Sequence, residues 1–130
     1  MSEPAPDSRW TFRHRLTVRF SDCDMLGHVN NAVYLSYLEE CRIEWWKAIG
    51  EPPISGGSGV GAIMAHASLN YRAPLFLSDE VEIRLAVHKV GTSSVTVDYE
   101  LVNVATGVVV ADARTVAVAF DFGQNRTVPV

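Results

Sequence analysis

The chain has only two cysteines, Cys23 and Cys41, among 130 residues. That is too few for the disulfide frame of a small secreted domain. Two thiols with no ligand cluster around them also exclude a cysteine zinc site, so a reduced intracellular setting is the simpler reading. Basic charge is not in excess. With 15 acidic against 11 basic residues the formal charge is -4, which removes the bulk attraction on which nucleic-acid and anionic-membrane binders rely. No stretch approaches the ~18 uninterrupted apolar residues of a membrane span. The first residues carry Glu3, Pro4, Pro6 and Asp7, where a signal peptide needs a basic start and an apolar run. A soluble cytoplasmic protein is expected, with neither nucleic acid nor membrane as partner. Length is also scarce. A chain of this size buries roughly two-thirds of the surface its unfolded state exposes, enough for one core but not for a separate substrate domain. One domain over 1–130 is expected, with 1–9 as a flexible arm, and any elaborate site must be shallow or completed by a second copy.

What is present organises itself by period. From Trp10 to Phe20, Phe12, Leu16, Val18 and Phe20 mix with Arg13, Arg15 and Arg19, a strand with one wet face. Ser21 to Asn31 is rich in Asp, Gly and Asn, residues that suit a loop leading into a helix. Tyr34, Leu38, Cys41, Trp45 and Ala48 recur at intervals of three and four, which predicts a helix over about 32–49, stopped by Gly50 and Pro52-Pro53. Between Ile54 and Gly61, four glycines follow the helix and lead into a strand. That order suits a mobile connection or lid over a dinucleotide cradle, which needs the reverse. Beyond Ala62 the period turns to two, with strands over 62–72, 80–89, 95–101 and 108–120 and short turns at Gly91 and Thr106-Gly107. Val81, Ile83, Leu85 and Val87 share one strand face. Ala111, Ala113, Ala117 and Ala119 share another, small enough to let a helix lie close. The expected class is α+β, one long helix on an antiparallel sheet of about five strands.

Most catalytic signatures are missing. There is no His-Glu-x-x-His, no Cys-x-x-Cys and no Walker sequence, and His14, His28, His66 and His88 lack metal-ligand spacing, so no metal is expected. One segment gathers polar chemistry. Phe20-Ser21-Asp22-Cys23-Asp24-Met25-Leu26-Gly27-His28-Val29-Asn30-Asn31 places two carboxylates, a glycine, a histidine and two asparagines directly before the helix. The first amides of a helix lack intrahelical partners and can polarise a carbonyl oxygen. A carboxylate just upstream can attack that carbonyl or deprotonate a water that does. Acyl transfer fits these parts, and so does the structural reading in which Asp22 and Asp24 form turns and Asn30 or Asn31 caps the helix.

The run Asp24-Met25-Leu26-Gly27-His28-Val29-Asn30-Asn31, followed by Tyr34, Tyr37, Glu39 and Arg42, resembles the signature of hot-dog-fold thioesterases of the 4-hydroxybenzoyl-CoA thioesterase-like family. Asn70-Tyr71-Arg72-Ala73-Pro74, Gly91-Thr92-Ser93-Ser94 and Val118-Ala119-Phe120-Asp121 fall in the family's order. The resemblance implies a hot-dog fold, in which a long central helix is wrapped by a five-stranded antiparallel sheet, and a homodimer or dimer of dimers with sites at the interface. It implies hydrolysis of an acyl-CoA thioester, or of an acyl-carrier-protein thioester, with no separate cofactor. Asp24 matches the family's nucleophile or general base, and Asn31 the position whose backbone N–H polarises the carbonyl. His28 is a candidate for orienting water or the acyl group, with Gly27 and Asn30 beside it as substrate contacts. Tyr34 and Tyr37 fit an acyl pocket or the core. Glu39 fits a helix-surface charge or the neighbouring subunit's site. Arg72, Lys89 and the turn Gly91, Thr92 and Ser93 are candidates for the coenzyme A phosphates, which need cations or free amides. The His-Val-Asn-Asn stretch is closer to the fatty-acyl branch than to the aromatic-substrate founders. Two competing functions are an enoyl-thioester hydratase or dehydratase using His28 with Asp24, and a non-catalytic acyl-thioester binder.

Overall fold

A computed structural model describes residues 9–50 and 60–129. Its elements are β1 (Phe12–Thr17), a 3-10 turn (Phe20–Asp22), α1 (Val33–Ile49), β2 (Val60–Tyr71), β3 (Glu80–Val90), β4 (Ser94–Asn103), β5 (Val109–Asp121) and β6 (Arg126–Thr127). The strands form one antiparallel sheet in the order β1-β3-β4-β5-β2, with β6 added to β5. The sixth strand departs from the expected five. The first residue of β4, Ser94, pairs with Val118, and β5 runs on past that point. The tail therefore reverses and fills the vacant edge, pairing Phe120 with Thr127.

The core lies between α1 and one face of the sheet. Tyr34, Tyr37, Leu38 and Cys41 of α1 meet Ile83, Leu85, Tyr99, Leu101, Ala111 and Ala113. Burial pushes the Cys41 thiol up to about 12, which makes it a packing group rather than a nucleophile. The periodicity overreaches at the C-terminal end of the helix, where Trp45 is half-buried and Ala48 exposed. It overreaches on β3 as well, where Val87 is exposed. Val87 still pairs in register with Val97, and a bulge follows it before Lys89. The first strand is shorter than its pattern, because Val18 leaves the ladder to bond Asp79 O and Ser78 N. Arg9, assigned to a flexible arm, pairs with Asp98 at 2.6 Å and lies over the Trp10 ring. Gly56, Gly57 and Gly59 lie outside the described residues, and Gly61 belongs to β2.

Helix α1 packs chiefly over β1 and β3. Of the alanines on β5, Ala111 and Ala113 are buried, whereas Ala117 and Ala119 are only half-buried. The small residues near the end of β5 thus leave space instead of drawing the helix down. The opposite sheet face carries a cross-strand ladder of ion pairs: Arg13 and Arg15 with Glu82, Arg84 with Glu82 and Glu100, Arg114 and Arg9 with Asp98, and Arg72 with Asp112. No helix of the described residues is long and apolar enough to cross a membrane. Leu38 is fully buried at the centre of the helix-sheet contact. Leu38→Ala should lower unfolding free energy in urea by about 2–5 kcal/mol, through lost transfer energy and the cavity left behind.

Candidate active site

The polar segment before α1 folds as a small closed loop. After β1 the chain makes the 3-10 turn, and the Asp22 carboxylate at its end turns inward and is buried. It accepts hydrogen bonds from the Tyr37 hydroxyl at 2.7 Å, the Arg19 backbone N–H at 2.9 Å and Arg19 Nε at 3.3 Å. Burial works against its ionisation, yet these donors outweigh burial and hold the carboxyl below the ordinary aspartate value. Burial together with the bond to Asp22 pushes the Tyr37 phenol far upward, so it remains a donor.

From this anchor Cys23 bridges Val29, the Asp24 N–H bonds His28 O at 3.1 Å and the Gly27 N–H bonds Asp24 O at 3.0 Å. Gly27 has φ of 89°, a conformation that disfavours any side chain, so the turn itself demands glycine. Val29 N–H bonds Leu75 O, and Asn30 N–H returns to Asp22 O. The base of the loop is therefore pinned to the helix, to its own start and to the segment before β3. Asp24, at the mouth of the loop, is only half-buried. Its Oδ1 accepts the Leu26 N–H at 2.9 Å, and its Oδ2 takes a long bond of 3.4 Å from Asn30 Nδ2. A carboxylate so weakly engaged on one oxygen is available to act on a carbonyl or a water.

Asn30 occupies the junction. Its Oδ1 accepts the Ala32 N–H at 2.9 Å and its carbonyl accepts the Val33 N–H at 3.0 Å, so it closes the turn that leads into α1, while its amide nitrogen makes the long bond to Asp24. Both ends of the side-chain amide are thus engaged within the loop. Asn31 follows, and among the described residues its backbone N–H has no hydrogen-bond partner. That is the donor a carbonyl oxygen needs. The Tyr71 hydroxyl bonds the Asn31 carbonyl at 3.0 Å, and its ring packs edge-on against Tyr34 at 5.1 Å, fixing the start of the helix from the sheet side.

The other candidates separate. His28 sits in the loop with Nδ1 3.3 Å from Val29 O, and its ring makes no hydrogen bond to the Asp24 carboxylate; Asn30 holds that place. Tyr34 and Tyr37 are core residues. Glu39 is exposed and lines a trough between α1 and β2. Arg72 points to the outer sheet face, paired with Asp112 and apart from Asp24. Lys89 and Gly91 to Ser93 lie about 30 Å along β3 from Glu80, at the end of the sheet remote from the loop. The Gly91 N–H donates to Ser94 O at 2.8 Å, which closes the turn. Sequence reasoning gave no special role to Asp22 or Tyr71. The only signal was their place in the Ser21-Asp22-Cys23-Asp24 and Asn70-Tyr71-Arg72 runs.

With this geometry in hand, a sequence profile of the thioesterase-like superfamily matches residues 18–130. The chain belongs to the thioesterase-like superfamily. Within it, the chain is 29% identical over 112 residues to the long-chain acyl-CoA thioesterase FadM of Escherichia coli, covering 86% of this chain and 85% of that one. It is 34% identical over 113 residues to a 1,4-dihydroxy-2-naphthoyl-CoA hydrolase of Nostoc punctiforme, covering 85% and 75%. A match to YsmA of Bacillus subtilis, at 31% identity, covers 69% of this chain but 60% of that protein's length. Among solved structures, a thioesterase-like protein of Pseudomonas aeruginosa, PA2801, superposes with a TM-score of 0.85 at 27% identity over 93% of this chain and 92% of its own. The superfamily's hot-dog architecture is the fold described above.

Tyr37→Phe removes one donor from the buried Asp22 and should cost about 1–3 kcal/mol of stability at neutral pH. Asp22 has a depressed folded-state pKa, so the stability it contributes is present above the unfolded value of about 3.9 and is lost as pH falls through the folded value. With a donor gone the depression shrinks, and acid unfolding followed by circular dichroism should begin at higher pH in the variant than in the wild type.

Proposed function

We propose that the protein hydrolyses acyl-CoA thioesters at the junction of loop and helix. The observation that carries this reading is the half-buried Asp24 carboxylate held by Asn30 beside an Asn31 N–H that has no partner of its own. The thioester carbonyl oxygen accepts that N–H, whose partial positive charge at the helix start stabilises the oxyanion as it forms. Asp24 either attacks the carbonyl carbon, giving a mixed anhydride that water opens, or takes a proton from the water that attacks. Both routes break the carbon–sulfur bond and release a carboxylic acid and the CoA thiol. FadM and the Nostoc hydrolase carry names that specify CoA thioesters, which supports coenzyme A as the carrier. The lack of a hydrogen bond between the His28 ring and the Asp24 carboxylate gives no support to a hydratase pair.

A homodimer belongs to the same reading. The sheet has two edges. β1 is six residues long and carries Arg13 and Arg15, charges of the kind that blunt an edge. β2 is twelve residues long, has no Asp, Glu, Lys or Arg, and exposes Ile63 and Met64. A two-fold axis through the sheet plane would pair two β2 edges antiparallel. Ala119, which pairs with Ala62 near the start of β2, bonds Ser93 O, so the Gly91 to Ser93 turn lies at that end. Antiparallel pairing therefore carries the turn of the second copy, with its Lys89, toward the Tyr71 end of this one. Lys89 is the one Lys or Arg of the described residues whose side chain has no hydrogen-bond or ion-pair partner, as a phosphate-binding cation requires.

Asp24→Asn and Asp24→Ala should each lower thiol release from acyl-CoA by about 10²–10⁴-fold with an unchanged circular dichroism spectrum; undiminished turnover in both would overturn the proposal. Lys89→Ala should raise KM about fivefold or more for an acyl-CoA and leave KM unchanged for the matching acyl-N-acetylcysteamine, which carries no phosphate. Equal effects on both thioesters would remove Lys89 from the carrier site.

A further inference from the structure

We infer that Tyr71 is a positioning residue for thioester hydrolysis, its hydroxyl aiming the Asn31 N–H by holding the carbonyl of the same residue outside the helix. The inference rests on the thioesterase reading and adds a residue that acts through Asn31 without touching the reacting atoms.

A regular helix would use that carbonyl itself, giving it the Leu35 N–H, four residues on. Here the Leu35 N–H goes to Ala32 O at 3.3 Å, and α1 begins only at Val33. The Asn31 carbonyl accepts the Tyr71 hydroxyl at 3.0 Å instead. The other edge of the same peptide is held from within the loop, where Asn30 Oδ1 accepts the Ala32 N–H at 2.9 Å. The preceding peptide is tied as well, since Asn30 O accepts the Val33 N–H at 3.0 Å. N–H and C=O leave a trans peptide in opposite directions, so that bond turns the Asn31 N–H away from Val33. With the planes on both sides of its Cα fixed, Asn31 presents its donor in one direction. Of these three bonds, only the one from Tyr71 reaches the helix start from the sheet.

Tyr71 is itself well held. Its backbone pairs with Ala111 at the end of the β2–β5 ladder, the next N–H, of Arg72, bonds Val110 O at 2.8 Å, and its ring stands edge-on to the buried Tyr34. The side chain is about half exposed, and a phenylalanine would keep the same ring contact, so packing alone has no use for the hydroxyl. Without that hydroxyl the Asn31 carbonyl is free to turn toward the Leu35 N–H. That turn winds α1 back by one residue and swings the donor with it.

Wild type, Tyr71→Phe and Tyr71→Leu are compared by thiol release from hexanoyl-, dodecanoyl- and benzoyl-CoA. The same three proteins are then compared by the infrared carbonyl band of a carbon-13-labelled ketone analogue of the best substrate, in which a methylene replaces the thioester sulfur. In the wild type the bound band should lie below that of the free analogue. Tyr71→Phe should lower kcat about tenfold or more with KM within about twofold and the unfolding midpoint unchanged, and its band should return toward the free position. Tyr71→Leu, which takes the ring as well, should lose stability but no more than about twofold further in kcat. An unchanged kcat in Tyr71→Phe, a change confined to KM, a lowered kcat with an unmoved band, or a loss seen in Tyr71→Leu alone each overturns the inference and leaves thioester hydrolysis standing. So does a wild-type band at the free position, a result that needs no variant. Absence of thiol release from all three thioesters by the wild type overturns the proposed function itself, and the inference with it.

Discussion

The buried Asp22 carboxylate is the fixture on which the candidate site hangs. Through Tyr37 it grips the N-terminal part of α1, through Arg19 the segment just after β1, and through its own carbonyl it receives the N–H of Asn30 where the loop closes. A charged group in that place is costly unless its oxygens are met, and here Tyr37 and Arg19 supply three donors to Oδ2 and Arg19 Nη2 a long one to Oδ1. What an apolar residue could not supply is direction. Each bond fixes a different segment, so the loop has little freedom to shift relative to the helix start. Asp24, two residues on, has the same side chain and a different environment: one short bond from Leu26, one long bond from Asn30, and access to solvent. The contrast between the two carboxylates comes from the number of donors each meets: Asp22 is held fast, and Asp24 is left accessible.

A second constraint is width. Strands spaced about 4.8 Å apart make a five-stranded sheet roughly 20 Å across, whereas a helix with its side chains is about 10–12 Å in diameter. One helix cannot cover this sheet. Here it covers the β1 and β3 side, where Ile83 and Leu85 are fully buried, and leaves Met64, Ala67 and Ala117 beneath an open trough. The open side is the one that ends in the uncharged β2 edge. The features that make the lone chain look unfinished therefore fall together, and they adjoin the helix start.

The main elements were legible because each carried its own period. Helix α1 starts one residue from its expected position, and the strands lie within a few residues of theirs. β6 was not legible, since Arg126 and Thr127 carry no alternation and become a strand only because β5 outruns β4. The bulge at His88 and the irregularity between Met64 and His66 leave no mark in the residue types. At the site, the loop and its residues could be picked out, but the division of labour within it could not. Asp22 and Asp24 look alike until Tyr37 and Arg19 are seen to converge on one of them. The link that Asn30 makes between the turn before the helix and Asp24 depends on the loop closing back through Cys23 and Val29, which the residue types do not announce.

Charge placement carries the last step. Of the eleven Lys and Arg residues, Arg9, Arg13, Arg15, Arg72, Arg84 and Arg114 are spent on the outer sheet face against Glu80, Glu82, Asp98, Glu100 and Asp112. Arg19 is held by Asp22, Arg42 by Tyr99, Lys47 by Glu44 and Arg126 by Gln124. A chain of net negative charge whose cations are nearly all engaged cannot draw a polyanionic carrier by its general field. It needs a local cation that is still free, and Lys89 fits that need at the wrong end of its own subunit. Distance then turns into an argument for assembly. Under the proposed antiparallel pairing of two β2 edges, a second copy would carry that cation toward the Tyr71 end of the first, and carrier recognition would then depend on the dimer.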